Sequence, residues 1–397
     1  MHIEIIDNLS TFEAIKANWD SVYSRDNHAH FFISWDWVST TIQEISRREI
    51  PWMILAAKPE TNADEYIGFL PLKIYTLKSE EDKGFYHELG ILALTDAEHA
   101  GCLSLPEYDA EVISAFTSYL QKQDYWSNFS IDNLAEDNEK LELFSNSFDT
   151  PGFKIEKLGS EHYTNPLDNI DNQIVPYLPL PDSWELYLQN NISSNTRQKI
   201  RRFLRKVENS DELRITDANA DNIEQHIEVL AQLWRTSWES RKGVKDCGDI
   251  IYQMRFELKQ CFERGCLHLP ILWQGEKPLA TVANLVDFEK KTISFLIGGR
   301  DETFRKFPPG FVLHARAIRE AIAQGFKTYD FLSGNEAYKY SFGAQERRVQ
   351  SITIKRQNLT QQRRQINPRA LPVLLRMSQY CHNTNDLERA EAGYLRL

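Results

Sequence analysis

The sequence has no long hydrophobic run and no excess of glycine or proline. In its 397 residues no apolar stretch approaches the ~20 residues that cross a bilayer, so no membrane span is expected. The N-terminal sequence MHIEIIDNLSTFEAI has neither the basic nor the apolar region of a signal peptide. With 17 glycines, 15 prolines and 42% apolar residues, the chain can bury a core and is not of a disordered composition. These features predict a globular protein.

Cysteine is scarce, and its positions exclude a disulfide framework. The cysteines are Cys102, Cys247, Cys261, Cys266 and Cys381, which are odd in number and scattered, with no CxxC pair. Such usage favours a reducing, cytoplasmic setting. The spacing of Cys261 and Cys266 fits no standard zinc motif, so no metal site is predicted.

Basic residues are also fewer than acidic ones. The chain has 46 basic and 57 acidic residues, a net charge of -11, which weighs against general binding of DNA. The exception is NTRQKIRRFLRKVE at residues 195–208, where apolar side chains recur at helical spacing. The six basic residues of this segment are Arg197, Lys199, Arg201, Arg202, Arg205 and Lys206. Such a face either binds a phosphate-bearing ligand or an acidic carrier protein, or is a solvated surface paired with nearby acids.

Several common catalytic motifs are absent, which narrows the chemistry. The sequence contains no GxSxG, HExxH, GxxxxGK[ST] or GxGxxG. Serine-hydrolase elbows, zinc-protease helices, P-loops and dinucleotide-binding turns are therefore not expected.

The length of the chain predicts two domains. Helical and strand-like patterns fill residues 1–158, and 159–182 is rich in Asn, Asp and Pro, as expected of a linker. A second domain is predicted at 183–356, followed by a partly helical tail at 357–397. Both halves have the order hairpin, strand, helix, strand.

An anion-binding arrangement is predicted where a strand leads into a helix. The strand ISFLIGG is followed by RDETFRKFPPG and by a helix that begins near Gly310. Backbone N–H groups and the dipole of such a helix favour an anion, and Arg300, Arg305 and Lys306 add charge. The alternative is an ordinary connection with basic residues on its surface.

The stretch YDFLSGNEAYKYSFGAQERR, residues 329–348, is unusually rich in titratable groups. Asp330, Glu336, Tyr338 and Lys339 lie within ten residues. A carboxylate beside a phenol can supply a general base and a general acid. Alternatively, the two carboxylates hold the loop by structural hydrogen bonds.

Two further sets of side chains are candidates of the same region. His314, one turn into the helix after Gly310, either faces the site or is a buried structural residue. Trp234, Trp238 and Arg241 share one helix face and either line a substrate channel or belong to the core.

The second half resembles a known family. The matching segments are SSNTRQKIRR (193–202), GEKPLATVANLV (275–286), RKFPPGFVLHARAIREAIAQG (305–325) and YDFLSGNEAYKYSFGA (329–344). They resemble the BioF2-like or CelD-type acetyltransferase domain of the GNAT superfamily, a relative of the Fem peptidyltransferases. The resemblance covers residues 180–345, and FFISWDWV and IGFLPLKI extend it into the first half.

The resemblance implies an α/β (α+β) fold of two tandem GNAT-like lobes, each a mixed, mostly antiparallel sheet flanked by helices. It implies an N-acyltransferase whose acyl-CoA donor, acetyl-CoA or longer, lies along Leu296, Ile297 and Gly298. The pyrophosphate would then lie at Arg305–Phe311, with Gly310 and Phe311 at the helix start. Pro308 replaces a glycine of the superfamily pattern and has no N–H to donate. An acyl carrier protein or an aminoacyl-tRNA therefore remains an alternative donor.

The same resemblance suggests roles for the polar residues. Glu336 or Asp330 would be the base, Tyr338 the acid, and backbone N–H groups near Ile297 the oxyanion donors, while Arg300 orients the reactants. The other candidates are His314 for catalysis, and Arg197, Arg201, Arg202, Trp238, Arg241 and Lys339 for substrate or carrier binding. The acceptor would be an amine on a peptide, a glycan or a small molecule. The competing interpretation is a non-catalytic binding module with the same fold.

Overall fold

The computed structural model describes residues 1–81, 83–93, 99, 101–158, 169–242, 244–357 and 365–397, without the side chains of 240–246. The chain divides into two compact units. The first unit comprises residues 1–159 and 349–397, and the second comprises residues 160–348.

The strands are named in chain order. They are β1 (His2–Ile6), β2 (Trp52–Lys58), β3 (Gly68–Lys78), β4 (Phe85–Ile91), β5 (Leu103–Ser104), β6 (Trp126–Ala135), β7 (Phe153–Leu158), β8 (Ile174–Pro179), β9 (Leu213–Asp217), β10 (Leu267–His268), β11 (Pro270–Gln274), β12 (Lys277–Asp287), β13 (Thr292–Arg300), β14 (Thr328–Asp330) and β15 (Gln345–Arg356).

The α-helices are named in the same way. They are α1 (Leu9–Ala14), α2 (Lys16–Arg25), α3 (Trp35–Arg47), α4 (Asp109–Gln121), α5 (Glu139–Phe148), α6 (Trp184–Asn190), α7 (Ser194–Glu208), α8 (Ile223–Lys242), α9 (Val244–Glu263), α10 (Pro309–Ala323), α11 (Ala337–Tyr340), α12 (Leu371–Asn383) and α13 (Leu387–Tyr394). None of those in the described ranges is long and apolar enough to cross a membrane.

The first unit is built on a mixed sheet with the order β1-β2-β3-β4-β6, followed by the 349–356 part of β15 and by β7. Only β4 and β6 run parallel, from His87↔Trp126 to Gly90↔Ser130. Helix α4 connects this parallel pair, as right-handed crossover connections commonly do. Helices α12 and α13 pack on Phe85 of β4 through Leu374, Cys381 and Ala390.

The second unit has a sheet with the order β8-β14-β13-β12-β11-β9, and residues 345–348 of β15 pair with β8. Only β13 and β14 run parallel, and α10 connects them. Helices α6, α7 and α10 cover one face through Ile200, Leu204, Val312 and Ile318, among others. Helices α8 and α9 cover a second cluster that includes Leu230 and Leu258.

The polar and proline-rich segments contain more structure than their composition suggests. Within the predicted linker, residues 159–168 lie outside the described part, and Ile174–Pro179 form β8, which pairs with β14. In the predicted tail, 358–364 lie outside it, and the residues beyond form α12 and α13.

Candidate functional site

The second unit contains a fork between its two parallel strands. β13 has nine residues, but it pairs with β14 only at Thr292↔Thr328, Ile293↔Tyr329 and Ser294↔Asp330. After Asp330 the chain follows β8 instead, since Phe331 N–H donates to Pro176 O (2.9 Å) and Gly334 N–H to Ile174 O (2.9 Å). Among the described residues, the edge of β13 from residue 295 to 300 is therefore open toward β14.

In the part of the chain that the structure describes, the corresponding parallel pair of the first unit shows no such fork. β4 remains paired with β6 as far as Gly90, one residue before the strand ends at Ile91. An extended ligand can hydrogen-bond to a strand only where the strand edge is unpaired. The open edge therefore makes the second unit the candidate for binding an extended ligand.

A β-bulge marks the start of the open edge. Ala283 of β12 pairs with Ile297 and Asn284 pairs with Phe295, so Leu296 is an extra residue on β13. Bulges redirect backbone groups and side chains and are common next to active sites. Leu296 and Ile297 pack with Trp238 against the core under α8 and α9.

Gly299 permits close approach of α8 to the open part of β13. A Cβ at this position would lie 2.8 Å from both Leu233 Cβ and the backbone nitrogen of Trp234. We expect Gly299→Ala to lower the free energy of unfolding by about 1–3 kcal/mol, because the helix must move. The matched control is Gly310→Ala, where nothing lies within 4 Å of the added Cβ. Denaturant titration of both variants measures the difference, and equal midpoints would contradict the expectation.

The N-terminus of α10 lies after the open strand and retains free donors. Pro308 precedes the helix and Pro309 is its first residue, so the first amide available to an anion belongs to Gly310. Arg305 and Lys306 are exposed in the preceding loop. Phe311 stacks on Phe342 with ring centroids 4.6 Å apart, which fixes the helix start against the 331–344 segment.

Lys339 is buried inside the loop that follows β14. Its Nζ donates to the carbonyl oxygens of Leu332 (3.2 Å), Ser333 (2.7 Å) and Gly334 (2.9 Å). It also lies 2.9 Å from Glu336 Oε2. With only 2% of its surface exposed, this ammonium group holds the backbone turn in shape.

Asp330 is likewise engaged by the loop. Its Oδ1 accepts from Leu332 N–H (2.8 Å), and its Oδ2 accepts from Arg347 Nη2. Leu332 has a φ of 55°, a left-handed conformation that costs a leucine energy and is maintained by these bonds. Asp330 thus anchors the turn at which the chain, at the end of β14, stops pairing with β13.

Tyr338 and Glu336 are two polar side chains of the loop that reach the surface, with 39% of Tyr338 and 37% of the Glu336 side chain exposed. Desolvation, followed by the negative charge of Glu336, raises the pKa of Tyr338 well above its ordinary value, while Arg300 acts in the opposite direction. The phenol is therefore protonated at neutral pH. The Tyr338 ring lies 5.7 Å from that of His314.

His314 projects from α10 into the fork. Its ring lies 4.6 Å from Phe295 and 5.5 Å from Phe331, the residues that follow the last paired positions of β13 and β14. Burial, followed by the charge of Lys339, lowers the pKa of His314 to about 3. The imidazole is therefore neutral at physiological pH.

The buried imidazole makes stability sensitive to acid. Because the pKa of His314 falls from 6.5 to about 3 on folding, its contribution is complete above pH 6.5 and is lost as pH falls toward 3. We expect the free energy of unfolding of His314→Gln to decrease less across this window than that of the wild type. Urea titrations at stepped pH test this, and parallel pH profiles would contradict it.

The predicted binding residues on helices occupy a different surface. Arg197 donates to the carbonyl oxygen of Leu188 (3.3 Å), and Arg201 pairs with Glu185 (2.6 Å). Arg202 is exposed with its guanidinium 4.6 Å from the ring centre of Phe203. The side chain of Arg241 lies outside the described residues. The structure thus brings Glu336, Tyr338, Lys339 and His314 together at the fork, with Arg300 near Tyr338, and leaves the α7 residues apart from them.

Three polar residues behind His314 escaped the sequence analysis. Tyr329 Oη lies 2.9 Å from His314 Nδ1 and 3.0 Å from Asn284 Oδ1, and Asn284 Nδ2 lies 3.2 Å from His268 Nδ1. An asparagine within the apolar run LATVANLV was the available signal, because a buried amide needs partners.

Comparisons with known proteins agree on the fold. Residues 194–340 match the family model for an acetyltransferase (GNAT) domain. No curated protein sequence matches the chain significantly. The crystal structure of FemX is similar with a TM-score of 0.58 and 11% identity, over 88% of this chain and 96% of that one. A conserved protein of unknown function from Bacteroides thetaiotaomicron gives 0.53 and 12%, over 90% of this chain and all (100%) of that one.

At these identities the two structures inform on the fold alone, whereas the family model locates the domain. The matched segment contains α7, β9–β14 and α8–α11, and hence the two strands between which the fork lies, β13 and β14. The mixed, mostly antiparallel sheets flanked by helices confirm the predicted fold class. The chain therefore has a fold similar to that of FemX, and its residues 194–340 match the acetyltransferase (GNAT) domain family.

Proposed function

We propose that the second unit is an N-acyltransferase that transfers an acyl group from a thioester to an amine. The observation that carries this proposal is the fork, in which β13 leaves β14 after Ser294 and presents an open edge beside Tyr338 and Glu336. An acyl-pantetheine arm has amide groups that can pair with such an edge in the manner of an added strand. In support, residues 194–340 match an acetyltransferase family.

The donor would extend along Leu296, Ile297 and Gly298 toward the start of α10. The amides of Gly310 and Phe311, with the charges of Arg305 and Lys306, suit the diphosphate of acyl-CoA. A Cβ added at Gly310 would meet nothing within 4 Å, so a ligand can approach the backbone closely there. Acetyl-CoA or a longer acyl-CoA is the donor that this arrangement favours.

The chemistry requires a proton acceptor, oxyanion donors and a proton donor. The amine nitrogen attacks the acyl carbon while Glu336 takes its proton, directly or through one water molecule. Backbone N–H groups near Ile297 stabilise the oxyanion. The C–S bond then breaks, and Tyr338 gives its proton to the departing sulfur. Asp330 is less suited to be the base because both of its oxygens are engaged by Leu332 and Arg347.

The acceptor is an amine on a peptide, a glycan or a small molecule. Arg300, which pairs with Glu302 at the exposed end of β13, is available to orient it. Trp238 on α8 packs against the same hydrophobic cluster as Leu296 of the open strand. A cytoplasmic location is part of the proposal, supported by the odd number and scattered positions of the five cysteines in the sequence.

A second candidate function differs in the carrier of the acyl group. Helix α7 is in contact with the loop before α10, since the Phe203 and Phe307 rings pack with centroids 5.7 Å apart and Lys206 Nζ lies 5.1 Å from the Phe307 ring. The exposed basic residues of these two segments therefore form one basic surface. Its members are Lys199, Arg202, Lys206, Arg305 and Lys306. In a chain of net charge -11, such a surface favours a polyanionic carrier, as in an aminoacyl-tRNA-dependent transferase or with an acyl carrier protein.

A donor panel tests both candidates. The purified protein is incubated with an amine mixture and with acetyl-CoA, longer acyl-CoAs, acyl carrier protein or aminoacylated tRNA. Product masses and thiol release are measured. We expect transfer from an acyl-CoA. Transfer from tRNA or carrier alone would favour the second candidate, and failure of every donor to bind would leave the non-catalytic module.

A further inference from the structure

A continuous path of hydrogen-bonded side chains runs from the surface of the second unit to His314. His314 Nδ1 lies 2.9 Å from Tyr329 Oη, which donates to Asn284 Oδ1 at 3.0 Å. Asn284 Nδ2 lies 3.2 Å from His268 Nδ1, and His268 Nε2 lies 3.4 Å from Asp217 Oδ1. The path connects β9, β10, β12, β14 and α10, and its inner three residues are buried.

The residues at the outer end of this path determine which groups donate and which accept hydrogen bonds along it. Partial burial raises the pKa of Asp217, but hydrogen bonds from His268 and Arg316 outweigh it and hold that pKa well below the ordinary value. The ionised carboxylate can only accept, so His268 carries a proton on Nε2. The amide nitrogen of Asn284 can only donate and faces His268 Nδ1, so Nδ1 is the acceptor and the Asn284 oxygen faces Tyr329.

The inner end follows from the number of protons available. The hydroxyl of Tyr329 has one proton and gives it to Asn284 Oδ1. Its oxygen is therefore the acceptor for His314, whose Nδ1 must carry the imidazole proton. Nε2 of His314 is left with a lone pair, directed away from Tyr329. Because the ring contacts Phe295, Phe331 and Tyr338, we place this lone pair in the fork.

We propose that Tyr329 and Asn284 are positioning residues that hold His314 in the Nδ1–H tautomer, so that its Nε2 accepts a hydrogen bond from the acceptor amine. The inference rests on the proposed function and adds the group that orients the nucleophile. An amine that donates one N–H to Nε2 directs its own lone pair at the acyl carbon, and its proton leaves to Glu336. The neutral state of His314 keeps Nε2 available throughout the pH range of enzyme assays.

The test combines one variant with a matched control. Tyr329→Phe removes the hydroxyl that bonds to His314. Tyr187→Phe removes an equally buried hydroxyl, which donates to Phe342 O (3.0 Å) and lies off the path. We expect Tyr329→Phe to lower kcat/KM for the amine by roughly 10- to 100-fold, with KM for acetyl-CoA unchanged. The control should match the wild type, and thermal unfolding verifies that both variants fold.

A spectroscopic measurement reads the tautomer directly. In protein labelled with ¹⁵N-histidine, His314→Gln identifies the His314 signals among the ten histidines. We expect a protonated Nδ1 and an unprotonated Nε2 in the wild type and in Tyr187→Phe, and a changed pattern in Tyr329→Phe. A proton on Nε2 in the wild type would overturn the inference without any variant.

Failure of the inference and failure of the proposed function give different results. If the wild type transfers acyl groups and Tyr329→Phe does so equally well, the positioning role is wrong and the acyltransferase stands. If the wild type transfers nothing from any donor, the proposed function is wrong and the amine-orienting role falls with it.

Discussion

Glu336→Gln is expected to lower kcat for acyl transfer by about 10²- to 10⁴-fold, the range found when a general base is removed. Glutamine has nearly the same shape but cannot accept the proton of the attacking amine. Glu336 is suited to the role because it lies beside Tyr338 at the open edge of β13 and its side chain is 37% exposed. Steady-state kinetics with saturating donor and amine measure the effect.

The control for this prediction is Glu276→Gln. Glu276 lies in the hairpin turn between β11 and β12, is highly exposed, and pairs with Arg214. Its kcat should equal that of the wild type. A Glu336→Gln enzyme with wild-type kcat would show that Glu336 is not the general base of the reaction.

Lys339→Met is expected to lower the free energy of unfolding of the second unit by about 1–3 kcal/mol, because it leaves the buried acceptors of this ammonium group without their donor. The ammonium group neutralises Glu336 and donates to the carbonyl oxygens of residues 332–334. Methionine fills a similar volume but satisfies none of these groups. Activity should fall as well, since Glu336 and Tyr338 are held by the same turn. Chemical denaturation and kinetics of the same preparation provide the measurements.

Lys327→Met is the matched control. Lys327 pairs with Asp182 at 2.8 Å, but both side chains are exposed, and such surface pairs contribute little to the free energy of unfolding. Equal stability of the two variants would mean that the buried ammonium group is not what holds the turn.

The long, periodic elements of the second unit were predictable from the sequence. The basic helix was expected at residues 194–208 and is found as α7 (Ser194–Glu208), with Ile200, Phe203, Leu204 and Val207 buried as the spacing required. Helix α10 ends just before Gly325, whose φ of 76° suits glycine. Here a single hydrophobic face and a terminating residue determine the element.

Short strands and their pairing were not predictable. β14 has three residues, and nothing in TYD indicates that pairing with β13 ends at Asp330. β8 lies in the proline-rich segment assigned to a linker. Its partners, β14 and β15, are distant in sequence, so the local sequence does not indicate the pairing. Pro176 has no N–H, but its carbonyl oxygen accepts a hydrogen bond from Phe331. The fork depends on these two strands, so the position of the open edge required the tertiary structure.

The polar residues of the site were recognised by type, whereas their partners were not. Asp330, Glu336, Tyr338, Lys339 and His314 were all candidates from the sequence. Only the structure separates those engaged by backbone groups, such as Lys339 and Asp330, from those exposed at the fork. The roles of Tyr329 and Asn284 depend on a hydrogen bond between residues 45 positions apart, so even the asparagine within LATVANLV could not indicate its partner.

The central claim is that the acyl donor lies along the open edge of β13 in the second unit. Backbone hydrogen exchange, followed by mass spectrometry with and without saturating acetyl-CoA, tests it most directly. We expect slower exchange in peptides that cover residues 295–300 and the first turn of α10, with β4 of the first unit unchanged. Binding of acetyl-CoA with protection elsewhere, or no protection anywhere in the second unit, would contradict the claim.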